Sequence, residues 1–239
     1  DMIEMAQKIG NIWNTLSAAR DITLFNSGIL GGKGLKKTLN PFLNGNTTFQ
    51  DLLIPCRTVA TDIEDGTRVS IFSGRLDEAI RCSASVPLVW SPVKYRNRIL
   101  VDGAINDPVP AEVVREMGAD ICIAVNVVPP LKKGTQTILS KIYKRANMFN
   151  PISMIGNRQK LPNIFDIIMN SIQTLQCELG NFKAASADVL INPDLSEFTW
   201  VEFYKPMSFI DKGTAAAEPA IPKITKLLSE KMAAYSFTI

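Results

Sequence analysis

The sequence predicts an α/β fold: a layered, mostly parallel central sheet flanked by helices. Three observations carry that expectation. Residues 98 to 128 read as strand, helix and strand, with Pro108 and Pro110 opening the helix and Gly118 closing it, the pattern of a βαβ unit. Ile121-Cys-Ile-Ala-Val-Asn-Val-Val128 is a nearly continuous apolar run, as expected of a strand covered on both faces. Elsewhere apolar residues recur at intervals of three and four, the period of helices packed on a sheet. No internal repeat or low-complexity linker appears, so residues 1–239 read as a single domain.

Taken in order, Met2, Ile3, Met5, Ala6, Ile9, Ile12, Trp13 and Leu16 predict an amphipathic helix over 2–19. It begins without a cap or lead-in, which suggests a chain that starts inside a larger fold. A loop with Gly28, Gly31, Gly32 and Gly34 follows. Its Gly31-Gly32-Lys33-Gly34 stretch lacks the spacing of a phosphate-binding loop, because Ser27 stands at the first glycine position and Gly34 replaces the Ser/Thr. It reads as the lead-in to a short helix carrying Leu35, Leu39, Phe42 and Leu43, with Pro41 inside it. Thr47–Leu53 predicts a capped turn of helix, a threonine being followed three residues later by Asp51. Cys56–Ile63 and Thr67–Phe72 then form a hairpin turning at Glu64-Asp65-Gly66.

Leu76, Ala79 and Ile80 give a helix that Pro87 stops. The helix opened by Pro108 and Pro110 directs Val113, Val114 and Met117 at the core. Ile164, Ile168, Ile172, Leu175 and Leu179 predict a long helix with that face buried. Ala187–Asn192 is a late strand, and 212–232 a closing helix with Pro219 and Pro222 near its start.

Composition excludes several functions. Hydrophobic residues make up 46% and charged residues 21%, an ordinary globular balance. A formal net charge of +3 gives no basis for nucleic-acid binding. No apolar run approaches the ~18 residues of a membrane span, and the first residues lack the basic start of a secretory leader. Cys56, Cys82, Cys122 and Cys177 include no C-x-x-C pair, and Cys56 and Cys122 sit in apolar runs where a free thiol acts as a small hydrophobe. This usage points to a reducing, cytoplasmic setting. The chain has no histidine. That removes Ser-His-Asp and Cys-His chemistry and every histidine-based metal site, so neither metal nor cofactor is expected, and proton transfer falls to Asp, Glu, Lys, Tyr or Cys.

Two stretches stand out. In Ile99-Leu100-Val101-Asp102-Gly103-Ala104, three apolar residues run into an acid and then two small residues. A strand ends there and leaves a carboxylate at its carboxyl end, where α/β sheets bind ligands; an aspartate in this place also serves as an ordinary turn-former. Between 131 and 165 lie Lys132, Lys133, Lys141, Lys144, Arg145, Arg158 and Lys160 with no acid at all. Lys132, Lys133, Lys141, Lys144 and Arg145 are candidate contacts to a membrane or lipid headgroup, as in basic amphipathic segments; the alternative is a solvated surface.

From about 20 to 128 the sequence resembles the patatin-like phospholipase family, in its bacterial branch. The matching residues are Phe49-Gln-Asp-Leu-Leu-Ile-Pro55 with Thr58-Val-Ala-Thr-Asp62, then Ala79-Ile-Arg-Cys-Ser-Ala-Ser-Val-Pro87, then Val101-Asp-Gly-Ala104 with Pro108-Val-Pro110, then Glu116-Met-Gly-Ala-Asp120. The resemblance implies a lipid acyl hydrolase with a Ser-Asp dyad, without histidine, acting on phospholipid or related esters through an acyl-enzyme. Asp102 matches the dyad acid, and Gly103 and Ala104 its active-site loop, Gly103 letting that loop approach the nucleophile. No G-x-S-x-G occurs in the 239 residues. The resemblance therefore implies a patatin-like domain without its first strands, supplying the aspartate alone and silent by itself. Asp107, where the family often has asparagine, is a second carboxylate expected to alter the field at Asp102. A non-catalytic remnant that binds lipid or a partner protein is the other reading, and peripheral membrane contact and an oligomer stay open.

Overall fold

The structure, a computed structural model, describes residues 3–4, 6–7, 31–43, 45–131, 164–198 and 205–236. The helix expected over 2–19 is helical at 3–4 and 6–7, and the rest of it lies outside the described residues. So do Lys132, Lys133, Lys141, Lys144 and Arg145.

The first helix, α1 (Lys33–Leu43), follows the glycine loop as expected and contains Pro41. Thr48 caps a 3-10 turn at Phe49–Asp51 through a reciprocal capping box: the Asp51 carboxylate accepts the Thr48 backbone N–H at 2.8 Å. The hairpin then forms from β1 (Thr58–Asp62) and β2 (Arg68–Ile71), antiparallel with Ala60 opposite Val69. Its turn is closed by the Gly66 N–H donating to the Asp62 carbonyl at 2.9 Å. Helix α2 (Leu76–Ser83) follows, then β3 (Val93–Tyr95) and β4 (Arg98–Asp102), a second hairpin that the residue pattern did not predict.

The four strands form one sheet in the order β2-β1-β4-β3, antiparallel throughout. This corrects the expected mostly parallel sheet. Both edges of β4 are taken, by β1 and β3, so the strand after α3 (Ala111–Glu116) pairs elsewhere. That strand, β5 (Ile123–Val125), pairs in parallel with β6 (Val189–Ile191) in a separate two-stranded sheet. Residues 98–128 are strand, helix and strand, yet the two strands belong to different sheets. The architecture is α/β, a small mixed set of strands flanked by helices.

The main core lies between the four-stranded sheet and α2, where Ala60, Ile71 and Leu100 meet Leu76, Ala79, Cys82 and Phe49. Ala60, Cys82 and Leu100 are wholly removed from water. The second core is small: Val109, Ala124 and Ala184, with Ala187 against them. Here the apolar pattern misleads. Ile123 and Val125 are exposed and only Ala124 of β5 is buried, because among the described residues β6 alone pairs with β5. Val114 of α3 is exposed while Val113 is buried.

The long helix α4 (Ile164–Ala184) forms where predicted, but its buried side carries Asp166, Met169, Gly180 and Ala184. Ile164, Ile168 and Leu175 are exposed. Small and polar groups set this face: the Gln173 side-chain amide donates to the Pro129 carbonyl at 2.7 Å, and a Cβ built on Gly180 would touch Pro108 at 3.6 Å. The closing segment is two helices, α5 (Pro206–Ala217) and α6 (Ile221–Ser236), joined by a 3-10 turn at Glu218–Ala220. Pro219 and Pro222 lack the N–H needed to continue one regular ladder. Cys56 is exposed in the loop before β1, outside any strand, while Cys122 is buried just before β5.

Candidate active site

Asp102 is the last residue of β4, opposite Ala60 of β1. Its position is fixed on three sides. The Asp102 N–H donates to the Ser85 carbonyl at 3.0 Å. The Thr61 hydroxyl donates to the Asp102 carbonyl at 2.9 Å. The chain then turns into a 3-10 turn at Gly103–Ile105, and the Ala104 N–H donates to Asp102 Oδ1 at 2.8 Å. One carboxylate oxygen is thereby oriented, while among the described residues Oδ2 accepts no hydrogen bond.

Burial raises the carboxyl of Asp102 from 3.8 to about 6, against the opposing pull of the Ala104 N–H. Desolvation disfavours the charged form, and a carboxylate poised near neutrality suits proton transfer. Asp107 does not set this value. Its fully buried side chain is ion-paired with Arg68 at 2.9 Å, so its charge is balanced by the guanidinium.

Gly103 is required by a close approach to β1. A Cβ there would lie 2.1 Å from the Val59 carbonyl oxygen, so the backbone of the turn rests directly on β1. Ala104 contributes its N–H. The turn is clamped further along: the Asp107 N–H donates to the Gly103 carbonyl at 2.8 Å. Arg68 bridges from β2 to Asp107 and to Glu112 and Glu116 of α3, at 2.9, 3.2 and 2.6 Å.

On the other side of Asp102, the buried Arg81 donates to the Ser85 hydroxyl, to the Ser91 carbonyl at 2.7 Å and to the Gly31 carbonyl at 3.4 Å. Its guanidinium also lies over the Trp90 ring, 5.7 Å from the centroid. Arg81 thus ties the glycine loop to the turn that holds the Asp102 backbone. Sequence reasoning assigned no role to Arg68, Arg81, Ser85 or Thr61. Arg81 and Ser85 had a signal in their four-residue, one-turn spacing. Arg68, 39 residues from Asp107, had none, because a long-range ion pair leaves no local pattern.

Residues 4–115 match the family model described as patatin-like phospholipase. Over that stretch the chain is similar to patatin-like phospholipases. The matched stretch includes β1, β2, α2 and the Asp102 turn, all the elements that position this carboxylate. An uncharacterized NTE family protein of Mycobacterium tuberculosis is 34% identical over 113 residues, covering 47% of this chain and 31% of that protein. The lysophospholipase NTE1 of Scheffersomyces stipitis is 24% identical over 213 residues, 84% of this chain and 13% of its own length. That of Saccharomyces cerevisiae is likewise 24% identical over 213 residues, or 12% of its length. The chain thus matches about a third or less of the length of these relatives. Among the described residues no helix is long and apolar enough to cross a membrane.

Proposed function

We propose that this chain carries the acid of a Ser-Asp dyad in a patatin-like lipid acyl hydrolase, with Asp102 as general base. The observation that carries the reading is the Asp102 carboxyl, oriented by the Ala104 N–H and pushed up to about 6 by burial. At neutral pH such a carboxylate is ionised yet basic enough to accept a hydroxyl proton as the serine oxygen attacks an ester carbonyl. The same proton then goes to the departing alcohol. Water, deprotonated by Asp102, releases the acyl group and regenerates the serine. Names of relatives such as lysophospholipase support lipid esters as the substrate class.

The 239 residues contain no G-x-S-x-G, so the dyad serine is assigned to chain outside them, and these residues supply the aspartate alone. Treating this chain with a fluorophosphonate and weighing it intact is expected to show no adduct. A stoichiometric adduct, mapped to one of its own serines, overturns the acid-only assignment. A second reading, a non-catalytic patatin-like protein that binds lipid or a partner, draws on the acid-free basic stretch 131–165. The coding sequence upstream of Asp1 separates the two. An encoded G-x-S-x-G favours the hydrolase, and a start codon at Met2 favours the binding protein.

A further inference from the structure

An open groove of about 450 Å³ runs along the start of β1 and the end of β2, lined by Leu52, Leu53, Phe72, Met117 and Arg57. Its volume lies within the range of small-ligand sites. Its lining mixes apolar side chains with the polar Gln50, Cys56 and Arg57, and its apolar part is wet: Leu53 is fully exposed and Phe72 is 56% exposed. At its lip the Arg57 guanidinium stands over the Phe72 ring, 4.7 Å from the centroid, an arrangement that favours a cation next to apolar surface. Among the described residues Arg57 forms no ion pair with a carboxylate. The apolar side chains Leu52, Leu53, Phe72 and Met117 beside one unneutralised cation are complementary to a ligand with an apolar tail and one negative charge.

The groove also has a telling position. β1 and β4 are antiparallel with Ala60 opposite Asp102, so Arg57 lies at the end of the sheet where Asp102 lies. Arg57 precedes Ala60 by three positions, roughly 10 Å at the rise of a β-strand.

We propose that this groove binds a single long-chain fatty acid, its hydrocarbon chain along Leu52, Leu53, Phe72 and Met117 and its carboxylate on Arg57. One chain and one charge fit one trough and one guanidinium, and bidentate pairing with a carboxylate is what a guanidinium does best. The assignment stands on the groove itself and requires no dyad chemistry. If Asp102 is the acid of a hydrolase, the groove holds the released acyl product.

Cys56 lines the groove and is exposed, which makes it a built-in reporter. Alkylation of the 239-residue chain by N-ethylmaleimide, followed by peptide mapping, gives the rate at Cys56, with half-buried Cys177 as internal control. Palmitate, kept below its micelle concentration, is expected to slow Cys56 about tenfold at ten times its half-saturating level and to leave Cys177 unchanged. Arg57→Gln, at a half-buried position, and Leu53→Asp, at a fully exposed one, are expected to abolish the protection while leaving the circular dichroism spectrum unaltered. Three results overturn the proposal: no protection by palmitate, full protection retained in Arg57→Gln, or a Cys56 already unreactive in the free protein because other chain covers the groove. Protection by phosphatidylglycerol vesicles but not by palmitate also overturns it and assigns the surface to a membrane. None of these outcomes bears on fluorophosphonate labelling, so the groove and the dyad fail separately.

Discussion

The two sheets make opposite use of similar residues. In the four-stranded sheet, Ala60, Ile71 and Leu100 are sealed beneath α2, and the strand ends converge on Asp102. In the two-stranded sheet, Ile123, Val125 and Leu190 stay exposed although their strands are as apolar. The difference is the number of neighbours. β1 and β4 each have two strand partners, so α2 on one face and the Gly103 turn on the other bury both sides. β5 has only β6 beside it among the described residues, and its core is three side chains deep. Apolar pattern sets which residues can be buried; the number of packed elements sets which are. The rigid part of the molecule is therefore where the candidate carboxylate sits.

If that is right, the largest loss of stability comes from separating the Gly103 turn from β1. Gly103→Ala places a methyl 2.1 Å from the Val59 carbonyl, and backbone cannot give way as a side chain does. A loss of about 4 kcal/mol or more is expected, read as a shift of the urea midpoint or a failure to fold. Gly66→Ala is the control. Its φ is +73° and nothing lies within 4 Å of the added methyl, so only the left-handed backbone cost of about 1–2 kcal/mol applies. Equal losses at the two glycines would remove the close approach as the reason for Gly103.

Next in size is the clamp between β2 and the turn. Arg68→Met leaves the fully buried Asp107 carboxylate without its guanidinium, which costs about 3 kcal/mol when one partner of a buried pair is removed. The double variant Arg68→Met with Asp107→Leu is expected to recover most of that loss, since no charge is then stranded. A double variant as unstable as the single one would show that the pair serves packing and not charge balance.

Much of this region was legible in the sequence. The Thr48 cap, the β1–β2 hairpin, α2 and the strand ending at Asp102 each rest on residues within a few positions of one another, and each formed as the pattern indicated. The β3–β4 hairpin was missed because its turn, Arg96-Asn97, lacks glycine, with Arg96 itself taking the left-handed conformation at φ 53°. Strand order was missed because nothing local says that β4 fills both edges antiparallel. Of the candidate site, Asp102, Gly103 and Ala104 are adjacent in sequence and so could be named together, whereas the approach of Gly103 to Val59, 44 positions away, leaves no local pattern.

The Asp102 carboxyl provides a smaller, pH-dependent effect. Its folded value, about 6, lies above the ~3.9 of an unfolded chain. Between those values the folded state binds the extra proton, so stability falls as pH rises from 4 to 6 and stays lower above. The total is of the order of 2–3 kcal/mol, at about 1.4 kcal/mol per unit. Asp102→Asn keeps an oxygen for the Ala104 N–H and removes the buried charge. It is expected to match the parent at pH 4 and to exceed it at pH 7.5 by about that amount. Equal midpoints at both pH values would mean that Asp102 is solvated as an ordinary surface acid.

The smallest effects return to the weaker sheet and test the contrast itself. On α4, Met169 is 4% exposed and Leu175 is 69% exposed, two apolar residues on one helix with opposite surroundings. Met169→Ala is expected to cost about 2 kcal/mol, the low end for a buried side chain of its size. Leu175→Gln is expected to change stability by less than ~0.5 kcal/mol. The pair is informative because sequence periodicity places Leu175, together with Ile164 and Ile168, on the side of α4 that should be buried, while Gly180 and the bond from Gln173 to Pro129 turn that side outward. A loss of 2 kcal/mol at Leu175 would mean that this stripe is covered in solution. α4 would then face two layers, and the division between a sealed sheet and an open one would disappear.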